Sequence, residues 1–270
     1  MRIGISPFAS SREAALRLAA DAVAAGMDTL WLGDGYLANP DFGGWSGGME
    51  TMTELAWLAG CLPSARIGIT AAVLPLRDPQ WLAKQANTLH RIAGGGFVLV
   101  AAAGFWRQDL EARGIDFDRR GAVLVDRLVQ LRSALEDPRF SPGPPDDGPP
   151  PVWLAGASAT RRRAIELGLP FQSSRATPDE LEPIANAFFE AGGTTLTHRV
   201  RVEAGIHRVE GEALDWHAVT GSADQLVDAL GRFAAMGVSD LSIIPGQGDE
   251  ASQHTVDVLA ADVLPQLGRR

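Results

Sequence analysis

Residues 65–79 read ARIGITAAVLPLRDP, and this stretch decides the fold. Its first half is a run of apolar and β-branched residues with the length of one buried strand. Asp78 and Pro79 follow as an N-cap and a first helical residue, and apolar positions then recur at helical spacing as far as Leu89. The stretch therefore predicts one strand joined directly to one helix.

The same alternation of strand and helix recurs along the whole chain. Apolar runs predict eight strands, at residues 2–7, 29–32, 67–74, 97–102, 152–155, 171–173, 200–206 and 241–244. Near-continuous apolar strands separated by amphipathic helices are typical of a parallel sheet covered by helices. Eight such units in 270 residues, 46% of them hydrophobic, predict an α/β fold, a (β/α)8 TIM barrel that spans residues 1–270 as a single domain.

Two long loops interrupt this alternation. Residues 35–49 are glycine-rich and include Trp45, which indicates a loop at the barrel mouth, either a mobile lid or a solvent-exposed disordered segment. Residues 138–151 are rich in proline, which excludes a helix there and indicates a stiff surface connection before the fifth strand.

Charge and composition exclude several classes of function. A net charge of −9 argues against nucleic-acid or anionic-membrane binding, because both need clustered Lys and Arg. No apolar run approaches the roughly 20 residues of a membrane span. Cys61 is the only cysteine and cannot form an internal disulfide. We expect a cytoplasmic protein without a signal segment, a membrane span or a nucleic-acid partner.

Motifs for metal-dependent and covalent catalysis are missing. None of the five histidines stands in a metal-ligand spacing, so we expect no metal site. No G-x-S-x-G motif exposes a serine nucleophile.

The ends of the predicted strands carry the candidate site, because in a β/α barrel the loops after the strands build the active site. Gly156, Ala157, Ser158 and Ala159 join strand five to a helix start, where free amides and the helix dipole favour a phosphate. A tight turn with Ser158 as an ordinary N-cap has the same sequence.

Two further strand ends carry polar or aromatic side chains. Asp34 follows strand two as a candidate catalytic or ring-contacting carboxylate, or as a solvated turn residue. After strand four, Trp106 is a candidate catalytic side chain that walls a planar ring, and Arg107 pairs with an anion. Simple packing of this loop is the competing interpretation.

The remaining candidates lie at strand ends or in the loops that follow: Ala72 and Val73, Ala103 and Gly104, and the candidate substrate contacts Trp45, Arg107, Gln172 and His207. Beyond Arg107 and Arg175, few side chains at the barrel mouth are evident candidates to bind an anion. We therefore expect a small, apolar or weakly polar substrate.

Several segments together resemble the luciferase-like monooxygenases and F420-dependent reductases. The strongest match covers residues 65–79, 82–85 and 94–96, and it includes Leu89. Supporting matches are Gly104 with Trp106, Arg113-Gly114 with Phe117, Arg120-Gly121, Pro151-Val152-Trp153 with Gly156, Gly221-Ser222 and Gly237-Val238.

This resemblance implies a flavin-type cofactor, FMN or F420, whose ring lies in the barrel mouth and whose tail phosphate lies at residues 156–159. It implies further cofactor contacts at Ala72, Val73, Ala103 and Gly104. It implies an oxidoreductase or monooxygenase that acts by hydride transfer on a small organic substrate. In the F420 branch a non-proline cis peptide supports the ring, and the matching bond here would join Ala72 and Val73. Family members are often dimers, which implies a homodimer.

The sequence also departs from the family pattern. Many members carry a histidine after strand two, whereas Asp34 is followed here by Gly35 and Tyr36, so no general acid is assigned. The arginine that grips the phosphate in the luciferase branch has no counterpart at Ala103. Two alternatives therefore stay open: a cofactor-binding barrel that has lost turnover, and a hydrolytic or isomerising barrel without a redox cofactor.

Overall fold

The structure is a computed structural model of the 270-residue chain, and it describes residues 1–37, 49–94, 96–146, 148–205 and 218–268. The strands are β1 (Arg2–Ile5), β2 (Thr29–Leu32), β3 (Arg66–Val73), β4 (Phe97–Ala102), β5 (Val152–Ala155), β6 (Phe171–Ser174), β7 (Leu196–Ala204), β8 (Ala218–Gly221) and β9 (Val238–Pro245). The helices are α1 (Arg12–Ala24), α2 (Thr51–Cys61), α3 (Pro79–Ile92), α4 (Arg107–Glu111), α5 (Arg120–Glu136), α6 (Ser158–Glu166), α7 (Pro178–Glu190), α8 (Ala223–Ala235), α9 (Asp249–Val258) and α10 (Leu264–Leu267).

The chain divides into two compact units. The terminal unit comprises Met1–Trp31 and Ala157–Arg270, and the middle unit comprises Leu32–Gly156. The prediction that residues 1–270 form a single domain stays a prediction.

In the terminal unit the strands pair in parallel around β1, β9 and β7. β1 lies between β2 and β9, and β7 pairs with β9, β6 and β8. Large buried side chains fill this unit, among them Trp31, Phe171, Phe188 and Phe233. The phenylalanines come from β6, α7 and α8, so the buried side chains of the helices and strands share one core.

In the middle unit β3, β4 and β5 pair in parallel. The face of α3 predicted from sequence is buried, with Leu82, Ala86 and Leu89 each at most 3% exposed. Residues 138–151 connect α5 to β5 as predicted, and Arg91 of α3 donates to the carbonyls of Gly143 and Pro144 at 3.2 and 3.1 Å. Two carbonyls of this connection are therefore bonded by a side chain of α3 and not within a helix or strand.

The helix starts follow the capping residues of the sequence. Asp78 is the N-cap of α3, where its side chain accepts from the amides of Gln80 and Trp81, and Pro79 is the first helical residue. Thr177 and Ser222 form capping boxes at α7 and α8 with side chains three residues later. These bonds satisfy amides that the first helical turn leaves without a partner.

Strands β7 and β8 differ most from the prediction, and β1, β3, β6 and β9 differ at one or both ends. β7 begins at Leu196 rather than at residue 200, because Leu196 pairs with Phe171 of β6. β8, a four-residue strand paired with β7, was not predicted, since AVTG is too short and too mixed to show a strand pattern. Within the described ranges no helix is both long and apolar enough to cross a bilayer.

Candidate functional site

Asp34 lies at the end of β2 and is 7% exposed. Its Oδ2 accepts hydrogen bonds from the amide of Val73 and from Nε of Arg77, both at 2.9 Å, and its Oδ1 accepts from NH2 of Arg77 at 2.6 Å. Asp34 is therefore not a solvated turn residue. Its carboxylate therefore bonds the end of β3 to the turn that follows β2.

Arg77 extends this cluster to the start of α2. Its NH1 donates to Oε1 of Glu50 at 2.9 Å, and Glu50 caps α2 by accepting from the amide of Thr53 at 2.9 Å. Burial opposes the charge of Arg77, but its bonds and charge contacts with Asp34 and Glu50 outweigh burial and raise its pKa. For Glu50, burial acts to raise the pKa, but hydrogen bonds from Thr53 and Arg77 outweigh it and lower that pKa. Arg77 and Glu50 therefore remain charged at neutral pH.

Gly104, after β4, lies against the end of β3. Its φ is +84°, in the left-handed region that favours glycine, and a Cβ built there would lie 2.8 Å from Cγ1 of Val73. Ala103 and Gly104 are half-buried, whereas Ala72 is fully buried. A side chain at position 104 would therefore collide with the residue that Asp34 holds.

The non-proline cis peptide bond joins Thr70 and Ala71, not Ala72 and Val73 as the family resemblance implies. The register of β3 against β4 shifts between Thr70 and Ala72, so the irregular part of the strand lies before the predicted bond. The prediction was correct about the strand and wrong about the bond.

The loop after β4 uses its charged residues in surface contacts. Arg107 begins α4, pairs with Glu111 at 3.1 Å and Asp118 at 3.5 Å, and its guanidinium lies 4.3 Å from the ring centroid of Phe117. Trp106 precedes α4 and is half-buried. In this arrangement Arg107 already has carboxylate partners, so its predicted role as an anion clamp stays a prediction.

Asp109 of α4 holds the first residues of the loop that follows Asp34. Its carboxylate accepts from the amides of Tyr36 and Leu37 at 3.2 and 2.8 Å, and it is 6% exposed. Trp45, further along that loop, and His207 lie outside the described residues.

The start of α6 is open. Gly156, Ala157, Ser158 and Ala159 are exposed, Ala157 is the N-cap and Ser158 is the first helical residue. The alternative in which Ser158 caps the helix is therefore wrong. Within the described residues no side chain caps α6. The exposed start of α6 is the positive end of the helix dipole, an arrangement that favours an anion.

The described candidates fall into two groups. Asp34, Ala72, Val73, Ala103, Gly104, Trp106, Arg107 and Gly156 belong to the middle unit, whereas Ala157, Ser158, Ala159 and Gln172 belong to the terminal unit. Gln172, on β6, is 2% exposed. The structure brings Asp34, Val73 and Gly104 together at the end of β3.

The sequence analysis missed the roles of Arg77 and Glu50. Arg77 stands in the stretch that decides the fold, directly before the N-cap of α3. A basic residue shortly after strand three and an acidic residue shortly after strand two were signals that could have identified the pair of Arg77 with Asp34.

Comparison with known proteins gives relatives of low identity. The chain is 29% identical over 181 residues to the pyrimidine monooxygenase RutA of Escherichia coli, covering 57% of this chain and 49% of RutA. It is 26% identical over 159 residues to the protein y4vJ of Sinorhizobium fredii, covering 53% of this chain and 44% of y4vJ. The chain thus spans about half the length of these relatives.

Solved structures match almost the whole chain. An F420-dependent secondary alcohol dehydrogenase, solved with an F420-acetone adduct, matches with a TM-score of 0.80 at 15% identity, covering 98% of each chain. The oxygenating constituent of 3,6-diketocamphane monooxygenase from Pseudomonas putida, in complex with FMN, matches with a TM-score of 0.75 at 15% identity, also over 98% of each. These likenesses confirm the predicted fold, an eight-stranded parallel β/α barrel of the luciferase-like type. The family model for luciferase-like monooxygenases matches residues 6–194, and the chain belongs to this family.

Proposed function

We propose that this chain is an oxidoreductase that uses a flavin-type cofactor, FMN or F420, on a small organic molecule. Family membership supports the cofactor class, since matching structures hold F420 in one case and FMN in another. The observation that carries the proposal is the start of α6, which is exposed, built of small residues and not capped by a side chain.

The chain's residues fit such a cofactor at two places. The amides at the start of α6 would hold its tail phosphate, because free amides and the helix dipole favour negative charge. At the end of β3, the apolar residue Val73, whose amide Asp34 holds, is proposed to lie beside the cofactor ring. When bound, the cofactor ring supplies hydride transfer, and the protein orients it and excludes water.

Asp34 acts in this proposal as a positioning residue. Both of its oxygens accept bonds from Arg77 or Val73, so its contribution is to fix the end of β3 beside the ring. The half-buried Trp106 is proposed to wall the substrate side. A general acid is not assigned.

The test is a titration of the purified chain with FMN, riboflavin and F420, read by fluorescence and by the thermal midpoint. A ligand that binds only the folded state raises the midpoint, and a tighter ligand raises it more at the same concentration. We expect FMN or F420 to bind and riboflavin, which lacks the phosphate, to bind more weakly than FMN.

Substitution at Ser158 tests the phosphate position. Ser158→Glu places a carboxylate in the first helical turn, which favours the helix but repels a phosphate. We expect it to weaken FMN binding at least tenfold and to leave riboflavin binding unchanged, whereas Ser158→Gln serves as the neutral control. If neither FMN nor F420 binds the unmodified chain, the proposal is wrong.

A further inference from the structure

Two arginines project from one face of β7. Side chains alternate along a strand, so Arg199 and Arg201 share a face while His198 and Val200 share the other. The ring of His198 lies 5.0 Å from that of Phe233 in α8. The arginine face is therefore the one turned away from α8, and we call it the β7 arginine face.

A third arginine joins them from the end of β6. The amide of Arg175 donates to the carbonyl of Arg199 at 2.9 Å, and Arg175 has a left-handed φ of 61°. Arg201 donates through NH1 to the carbonyl of Gly246 at 2.5 Å. Glu203 is the next residue on the same face and favours the charge of Arg201. Arg175 and Arg201 are both close enough to Arg199 to act on its charge. Asp240 of β9, which pairs in register with Thr197, is a second carboxylate on this face.

The surroundings of Arg199 oppose its charge. Burial, followed by the charges of Arg175 and Arg201, lowers the pKa of Arg199 to about 9. Arg199 still carries its proton at neutral pH, so an anion bound here would be attracted in a partly desolvated setting where charge interactions are strong.

Two serine hydroxyls lie on the same face. Ser242 of β9 stands beside Arg199, and Gly4 of β1 stands beside Ser242, which places Ser6 on this face by alternation. Ser6 and Ser242 are 0% and 1% exposed. Among the described residues their hydroxyls have no hydrogen-bond partner, although buried polar groups are nearly always bonded.

We propose that the β7 arginine face, with Ser6 and Ser242, binds the oxyanion of a small molecule, such as a carboxylate, sulfonate or phosphate. Arginine presents paired N–H donors that match two oxygens of such a group, and the hydroxyls add further donors. This inference rests on the proposed function for its role, since the oxyanion would belong to the substrate or to the cofactor tail. If the substrate supplies the oxyanion, the expectation of an apolar or weakly polar substrate is wrong; if the cofactor tail supplies it, that expectation stays a prediction.

The test is calorimetric titration with inorganic phosphate at constant ionic strength and without any cofactor. We expect Arg199→Gln to weaken phosphate binding about tenfold or more, the effect of losing one charge-assisted pair. Arg199→Lys, which keeps the charge and loses the paired donors, should fall between, and it remains informative if the glutamine variant does not fold. Arg232→Gln, which removes a half-exposed arginine of α8 that pairs with Asp179, is the matched control.

Binding measurements with FMN and with riboflavin identify the source of the oxyanion. If the cofactor tail occupies the face instead of the start of α6, phosphate competes with FMN, and Arg199→Gln weakens FMN binding but not riboflavin binding. If the substrate occupies it, phosphate and FMN bind together and Arg199→Gln leaves FMN binding unchanged. Both outcomes support an oxyanion site.

Failure of this inference differs from failure of the proposed function. Phosphate binding that is absent, or equal in Arg199→Gln and Arg232→Gln, overturns the β7 site even if FMN binds. Binding that depends on Arg199 but persists in Ser158→Glu supports it even if neither FMN nor F420 binds.

Discussion

The carboxylate of Asp34 accepts two hydrogen bonds from the guanidinium of Arg77, at 2.6 and 2.9 Å, and the two side chains are only 4% and 17% exposed. The same carboxylate accepts the amide of Val73. One ion pair therefore links the ends of β2 and β3, and removal of one partner would leave the other charge poorly hydrated.

We expect Asp34→Asn to lower the free energy of unfolding by about 3 kcal/mol, because Arg77 keeps its charge in a largely buried position. Urea denaturation checks this: the midpoint should fall while the dependence on urea concentration stays constant. Glu111→Gln removes a half-exposed partner of Arg107 and should cost less than about 0.5 kcal/mol. Equal effects of the two substitutions would show that the Asp34 pair contributes no more than a surface pair.

Gly104→Ala should destabilise the chain more than the same substitution at a glycine that has a left-handed φ but no close neighbour. Gly114 also has a left-handed φ, +68°, but no atom lies within 4 Å of a Cβ built there. We expect about 1 kcal/mol for Gly114→Ala and about 2 to 3 kcal/mol for Gly104→Ala, whose methyl group meets Val73. Thermal unfolding of both variants measures the difference, and no difference would mean that Val73 gives way freely.

Asp109→Ala should loosen the residues after Asp34. The amides of Tyr36 and Leu37 lose a buried carboxylate acceptor, and a loss of about 1 to 2 kcal/mol corresponds to roughly tenfold faster hydrogen exchange. Exchange measured at these two amides checks the prediction. Glu111→Gln in the same helix should leave both rates unchanged, and unchanged rates in Asp109→Ala would contradict the contact.

The order of strands and helices was predictable from sequence because it depends on local patterns. β2, β4 and β5 were predicted at both ends, since each is a short apolar run bounded by turn residues. The start of β7 was not, because Leu196–Arg199 is mixed in polarity, and its pairing with β6 and β9 makes it a strand. Such pairing joins residues far apart in the chain.

The same distinction applies to the candidate site. Asp34 was identified by its position after a strand, but its partner Arg77 lies 43 residues away and is set by the fold. Arg199 and Arg201 lie within β7, whereas the pattern that predicts site residues in a β/α barrel selects strand ends and the loops after them. A strand residue becomes a site candidate only when its neighbours on the adjacent strands are known.

The buried His198 should make stability depend on pH. Its ring is 0% exposed, and Nε2 donates to the carbonyl of Ala176 at 2.9 Å. Burial lowers the pKa of His198 to about 4, more than hydrogen bonds to backbone carbonyls raise it. In the unfolded chain the pKa is about 6.5. As pH falls from about 6.5 to about 4, the unfolded chain therefore binds a proton that the folded chain does not.

The free energy of unfolding should accordingly fall by about 3 kcal/mol across this range through His198 alone. His198→Gln removes that contribution. The free energy of unfolding of the variant, relative to that of the unmodified chain, should therefore rise steadily as pH is lowered from 6.5 to 4, whatever the difference between the two at pH 7. Urea denaturation at a series of pH values measures this difference. His254→Gln, at an exposed position of α9, should run parallel to the unmodified chain, and a parallel course for His198→Gln would show that His198 becomes protonated in the folded state.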